Sequence, residues 1–544
     1  MNIEILKRSR WDGGKLFAFS AIDGSTDYAH GLVARSIPTG GAPADGEDAP
    51  APAIEIKFPG ECSIRFPAAA PASAAANTVG SDWFEIGRRR EIRGVFLDAH
   101  HLLIDGPCEI SAASPKIKFE QKGARTLVGA ARFFYPPNIG ADFEAAWDAR
   151  RKWLENLTLP GGLAPAAARA FAKSASQMKS QVCSPEGAIT RRWTTPDRYP
   201  HKEMWLWDSA FHAIGWRHLD PAVAADAIDA ALEYPAPGFI PHMMSPRAHS
   251  DVTQPPVLAF ATMLVYEKTG DKDWLARAYP RLKAYLEWDF ANRDRDGDGL
   301  LEWMIDPDPN CRSGESGLDN SPRFDDAQLL AATDFNSFAA LECETLSNIA
   351  EILGHDDDAK DWYDQYQKLC ALISAKLWDP ERGFFFDYDS AAQRLSPVQA
   401  VSGFFPLICG AATAEQAEEL VEALHNPALF GTPYRVPSIA SSDPKYKKDM
   451  WKGPVWINAN WLIAHGLDRA GFPAEAAALR AETRILIETE YENYGAAFEF
   501  YDADALLDPP ALQRKGVCDP ASPYHQVIHD YGWTATLYVD LVCN

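Results

Sequence analysis

The chain has no apolar run approaching the roughly 20 residues that a membrane-spanning helix needs. Its opening stretch, MNIEILKRSRWDGGKLF, also lacks the apolar centre of a secretory signal. These absences exclude an integral helical membrane protein and predict a cytoplasmic one. Positive charge is scarce, with 52 Lys and Arg against 76 Asp and Glu and a net charge of −24. A nucleic-acid partner draws most of its affinity from clustered cations, so the balance argues against one. The nine cysteines contain no CxxC pair and are scattered in odd number, which fits reduced thiols better than a disulfide framework or a zinc site. No P-loop, G-x-G-x-x-G or G-x-S-x-G stands in a convincing context.

What is present is a large folded protein of 544 residues, 47% hydrophobic and 24% charged, with 17 tryptophans. Residues 1–140 carry short β-rich runs such as KLFAFSAI, AIEIKF, REIRGVFLDA and TLVGAARFFY, broken by Gly, Pro and Asp. They predict an all-β, sandwich-like domain. The Ala/Pro-rich insertions GAPADGEDAPAPA and PAAAPASAAA predict exposed loops. Residues 141–544 show helical periodicity in about a dozen segments, from FEAAWDARRKWLENL to YHQVIHDYGWTATLYVDLV. Connections rich in Gly, Pro, Asp and Trp separate them, which suits a closed ring of helix pairs with functional loops gathered at one end.

Six segments there are rich in aromatics, carboxylates or both: EMWLWDSAFH, GFIPHMMSPR, SDVTQPP, SGESGLDNSPRFDDA, KDMWKGPVWINANW and YENYGAAFEFYDAD. Aromatic faces stack on the C–H faces of sugars while Asp, Asn, Gln and Arg bond hydroxyls, so the combination predicts a small-molecule carbohydrate site. Glycoside hydrolysis needs one carboxyl to protonate the departing oxygen and a second facing the anomeric carbon or its water. Asp319, in the turn GLDNSPR, is the candidate acid, with Glu315 and Asp325 nearby to raise its proton affinity by like charge. For the second carboxylate Glu499 is preferred, and Glu492, seven positions earlier between aromatics, is the alternative.

WLWDSAFH, IPH, TQPP, SGLDNSPRFD, GPVW with the following NW, the late EFYD and the terminal GWTATLYVDL resemble glycoside hydrolase family 63 over about residues 160–544. The likeness is greatest to its bacterial mannosylglycerate and glucosylglycerate hydrolase branch. The resemblance implies an (α/α)6 barrel, an α-linked substrate such as a small α-glucoside or α-mannoside, and inversion at the anomeric carbon. It places the general acid on Asp319 and the general base on Glu499, although the stretch after the aspartate reads ADALLDPP and lacks the family's P-x-T-G. It also implies sugar contacts at Trp207, Asp208, His242, Gln254, Arg323, Trp451 and Trp456, with Lys452 standing where arginine is common.

Other readings stay open on the residues alone. A sugar epimerase or isomerase on the same barrel would use histidines, a phosphorolytic enzyme would need phosphate, and a binding protein would keep the pocket without turnover. The expectation is no cofactor. The run DRDGDGLLE offers Asp294, Asp296, Asp298 and Glu302 either to calcium or to a tight acidic turn, its glutamate arriving too early for an EF-hand. Whether the chain is a monomer or a homo-oligomer is not written in it.

Overall fold

A computed structural model describes residues 1–8, 14–37, 54–58, 62–66, 77–87, 89–112, 114–234, 238–516, 522 and 524–544. Both Ala/Pro-rich insertions and Cys518 lie outside these residues. The chain forms two compact units, neither of them a single continuous segment. The first comprises residues 1–202, 487–497 and 529–544, and the second residues 203–486 and 498–528. The change of pattern expected near residue 140 marks the passage from strands to helices inside the first unit.

The strands of the first unit are β1 (Leu16–Ala18), β2 (Val33–Ile37), β3 (Ile54–Phe58), β4 (Cys62–Phe66), β5 (Thr78–Val79), β6 (Trp83–Ile86), β7 (Ile92–Asp98), β8 (His101–Asp105), β9 (Glu109–Ala112), β10 (Ile117–Lys122) and β11 (Arg125–Ala130). They build two antiparallel sheets, ordered β1-β2-β3-β4-β9 and β10-β11-β8-β7-β6-β5. Alternation along β4, where Cys62, Ile64 and Phe66 are buried and Ser63 and Arg65 are not, turns one face of the first sheet inward. There Phe17 and Phe66 meet Phe84 of the second sheet edge-on or tilted, at 5.8 and 5.3 Å between ring centres. The all-β expectation for the early chain is therefore met by two sheets sharing one aromatic core. Helices α1 (Phe143–Asn156) and α2 (Pro165–Ser180) follow; Asp142 caps α1 by accepting from the Ala145 amide, and α1 packs on β7.

The second unit is helical: α3 (Leu206–Leu219), α4 (Pro221–Leu232), α5 (Leu258–Thr269), α6 (Lys272–Arg293), α7 (Thr333–Leu353), α8 (Asp356–Lys376), α9 (Pro406–Cys409), α10 (Ala414–His425) and α11 (Ile457–Arg469). Helix α12 (Pro473–Tyr494) runs out of it into the first unit, which also holds α13 (Gly532–Cys543) against α2. The sequence dictates the tight joins. Asp220 alone separates α3 from α4, capping a helix that begins on Pro221; Gly270 and Gly354, in the left-handed region at φ 65° and 83°, end α5 and α7. Thr413 and Gln416 form a reciprocal capping box at the start of α10.

Short and long connections alternate. Those after α3, α5, α7, α9 and α11 span between one and four residues, whereas those after α4, α6, α8, α10 and α12 are the segments 233–257, 294–332, 377–405, 426–456 and 495–531. Consecutive helices joined by tight turns run antiparallel, as the packing of α3 on α4 and of α7 on α8 shows. No helix among the described residues is long and apolar enough to cross a membrane.

Candidate active site

Asp319, Asn320 and Arg323 sit in the connection after α6, whose path is set by close packing. Gly317, at φ 71°, lies where a Cβ would come within 2.3 Å of the Trp207 indole, so the loop closes over that ring because the residue has no side chain. The side-chain oxygen of Asn320 accepts from the Trp451 amide at 3.0 Å, and its NH2 group donates to Asp449 at 3.1 Å. This ties the neighbour of Asp319 to the connection after α10. In that connection the Trp451 and Trp456 rings stack in parallel 3.8 Å apart. Reciprocal backbone bonds between Val455 and Tyr501, of 2.8 and 3.0 Å, carry the tie on to the segment holding Glu499. Glu499 is buried, and its carboxylate accepts from the Arg514 Nε at 2.9 Å. The next residue, Lys515, places its Nζ 2.8 Å from an Asp319 oxygen. Contacts thus run from Asp319 through three connections and back to Asp319, with consecutive cations on the two acids.

The remaining sugar-contact candidates fall in the same unit. The side-chain oxygen of Gln254 accepts from the Trp207 amide at 3.2 Å, and Asp208 is buried in the first turn of α3. His242 shares a 2.5 Å hydrogen bond with the Ser250 hydroxyl and meets the Trp205 ring edge-on. Burial pushes its pKa down to about 4, against the pull of Asp319 and with the push of Lys515, so the imidazole is neutral at physiological pH. Burial alone holds His212 to about 3. Lys452 is half-buried beside Asp449, whose carboxyl burial raises despite the lysine's charge.

The electrostatics around Asp319 differ from the like-charge expectation. Glu315 is bound to Arg293 at 2.6 Å, and Asp325 to Lys445 at 2.9 Å, so each acid has its own cation. Burial pushes the Asp319 carboxyl up, but the charges of Lys515 and Arg514 outweigh it and hold the group below the usual carboxylate range. The Cys311 thiol beside it is driven the other way, to about 12, by burial and by the Asp319 charge. Arg323 lies apart from any exposed surface: its guanidinium bonds Asp334, Asp387 and the Ser402 hydroxyl, with no part of its side chain accessible. That makes it a brace between α7 and the connection after α8.

Glu492 belongs to the first unit, near the end of α12. Its side chain is 39% exposed and is clasped by both Nε and Nη2 of Arg169, at 2.8 and 3.0 Å. Glu492→Gln is therefore expected to keep kcat and KM and to change stability by no more than about 1 kcal/mol, since exposed pairs contribute little; steady-state kinetics and a thermal melt check both. In the run DRDGDGLLE, Asp294, Asp296 and Glu302 bring ligand atoms within 4.8 Å of one another. Asp298 instead accepts from Lys376 at 2.8 Å, while the loop's own amides bond Asp294, Asp296 and Asp298, the pattern of an acidic turn. A separate cavity of about 570 Å³ in the first unit, lined by Tyr28, His30, Trp193 and Lys202, contains none of the candidate residues.

Arg514, Lys515 and Asp449 were not foreseen from sequence. For the two cations the signal was the adjacent Arg-Lys of QRKG in a strongly acidic chain, just beyond the stretch that departs from the family pattern.

The mannosylglycerate hydrolase of Thermus thermophilus is 27% identical over 383 residues, covering 55% of this chain and 89% of that protein. The glucosylglycerate hydrolase of Mycolicibacterium hassiacum is 24% identical over 391 residues, covering 54% of this chain and 85% of that protein. The crystal structure of the GH63 mannosylglycerate hydrolase from Thermus thermophilus in complex with glucose aligns with a TM-score of 0.56 at 23% identity, over 68% of this chain and 99% of that one, which shows a shared fold. Residues 199–506, more than half of the chain and including the acid-bearing loop, match the profile of the mannosylglycerate hydrolase MGH1-like glycoside hydrolase domain: the chain is a glycoside hydrolase and belongs to that family.

Proposed function

We propose that the protein is an inverting α-glycosidase acting on a small α-mannoside or α-glucoside of the glycosylglycerate kind, with Asp319 as general acid and Glu499 as general base. The observation that carries this is the gathering of the two acids, 180 positions apart, in one unit, on adjacent residues Arg514 and Lys515. Their setting separates their roles. Glu499 is held to the rigid Arg514 fork and the Ile528 backbone, which suits a base that must keep one fixed position beside the attacking water. Asp319 is held by one flexible lysine, which suits a group that must gain and lose its proton.

The alternation of tight turns and long connections supports a closed ring of helix pairs, the (α/α)6 barrel, with site residues at one rim. Trp207, Asp208, His242, Gln254, Trp451, Lys452 and Trp456 are the proposed sugar contacts. In the reaction, Asp319 protonates the glycosidic oxygen as the bond to the anomeric carbon breaks. A water adds to the opposite face and gives its proton to Glu499. Inverting enzymes keep the two carboxyls about 6.5–9.5 Å apart to admit that water. No cofactor takes part.

The stereochemistry is the test. Following the anomeric protons by NMR during hydrolysis of α-mannosylglycerate and α-glucosylglycerate, the first sugar released should be the β-anomer, appearing before mutarotation. Release of the α-anomer first would replace the water with a covalent intermediate on Glu499, and no hydrolysis of either would remove the glycosylglycerate reading.

A further inference from the structure

An acid that starts the reaction must carry a proton, and Asp319 in its resting setting does not. Its oxygen lies 2.8 Å from the Lys515 ammonium, and Arg514 adds a second positive charge. The other titratable neighbours supply no opposing charge, since His242 is neutral and the Cys311 thiol stays protonated. Burial works against the Lys515 ammonium, yet Asp319 holds its proton more tightly than an ordinary lysine's. The ion pair therefore reinforces itself on both sides.

Lys515 is also the more accessible of the two cations. Lys515 keeps 24% of its side chain exposed against 5% for Arg514, and it stands in the left-handed region at φ 57° on a loop anchored at its start by Gln513 and at its end by the Gly516 amide on Asp449. Its ammonium can swing on a four-carbon stem while the loop stays fixed. A neutral aglycone offers that ammonium nothing to match a carboxylate. A carboxylate on the aglycone, which leaves from the oxygen that Asp319 must protonate, does.

We propose that Lys515 is a positioning residue coupling recognition of an anionic aglycone to the arming of Asp319. This rests on the reading of Asp319 as the acid. When an α-hydroxycarboxylate aglycone binds, its carboxylate takes over the Lys515 ammonium. Asp319 then accepts a proton from solvent and delivers it to the glycosidic oxygen, while the water that attacks the anomeric carbon gives its proton to Glu499. Neutral glycosides that fit the sugar pocket leave the ion pair closed and the acid unarmed.

The test compares kcat/KM on a glycosylglycerate and on the corresponding glycosylglycerol for wild type, Lys515→Met, Lys515→Arg and Asp319→Asn. A nearby opposite charge lowers a carboxyl pKa by about 1–3 units, and the protonated fraction above the pKa falls tenfold per unit, so wild type should prefer the anionic substrate by about 100-fold. Lys515→Met, which keeps the side-chain length and meets the same backbone strain, should narrow that preference to under about tenfold, losing rate on the glycerate and gaining it on the glycerol glycoside. Its alkaline limb on the glycerol glycoside should move to higher pH, because removing the cation raises the Asp319 pKa and keeps the acid protonated further up. Lys515→Arg should retain the preference. Equal losses on both substrates with an unmoved alkaline limb, or a wild type indifferent to the aglycone's charge, would overturn the coupling. If Asp319→Asn keeps turnover on both substrates, the acid assignment itself fails; if it is inactive while Lys515→Met leaves ratio and limb unchanged, the acid stands and the coupling falls alone.

Discussion

Asp319→Asn is expected to lower kcat on an unactivated glycoside by about 10²–10⁴-fold, the usual contribution of a positioned general acid, and to recover most of that loss on an α-glycosyl fluoride. Fluoride departs without a proton, so the second substrate bypasses the missing acid. Glu499→Gln should behave in the opposite sense. A base is needed whichever group leaves, so the loss should be as large on the fluoride as on the glycoside. The pair of measurements separates the roles more sharply than inactivity could, because each variant also strands a cation: Lys515 in one case and buried Arg514 in the other. Thermal melts beside the kinetics remove the trivial explanation of an unfolded variant. If the fluoride rescues Glu499→Gln and not Asp319→Asn, the two assignments exchange.

Arg323→Met should cost stability rather than sugar affinity. The guanidinium lies buried between Asp334 and Asp387, whose other bonds come from the Trp303 indole and from backbone amides. Burial already pushes the Asp387 carboxyl up, with Arg323 pulling it down and Asp334 pushing it further up. Removing the cation leaves two buried carboxyls facing each other, a change that typically costs about 3–5 kcal/mol. The expected result is a large fall in melting temperature and in soluble yield, relieved in part by adding Asp387→Asn, which removes one of the opposed charges. A variant that melts like wild type but shows a raised KM would instead make Arg323 the sugar contact that its place in the DNSPR motif suggested.

Arg323 also shows how far the sequence could be read. Motif spacing picks out the loop that carries Asp319 and the segment that carries Glu499, because DNSPR and the late EFYD are local patterns. What the arginine faces depends on Asp387, 64 positions later, and on a hydroxyl from Ser402, and no spacing encodes that. The charge environment of Asp319 was misread for the same reason. Glu315 and Asp325 are its neighbours in the chain, but Arg293 and Lys445 claim them in space, and the charges that do reach Asp319 come from Lys515 and, behind it, Arg514. Glu492 and Glu499 looked equivalent as acids between aromatics. They diverge because α12 ends between them, leaving one exposed on a helix and turning the other into the packed segment that pairs with Val455. The period-two and helical patterns, by contrast, were legible wherever an element buries one face only, as β4 does, since that is all they record.

The alternation of tight turns with long connections bears on how such a chain can change over generations. The residues around Asp319 come from connections that follow α4, α6, α10 and α12, each hung on a different helix hairpin. A lengthened or rewritten connection alters one wall of the site while the hairpins that carry the others keep their packing. On the role proposed for Lys515, lineages built on this plan could exchange the group they release by revising the segment that carries it, without rebuilding the proposed sugar contacts or the scaffold beneath them.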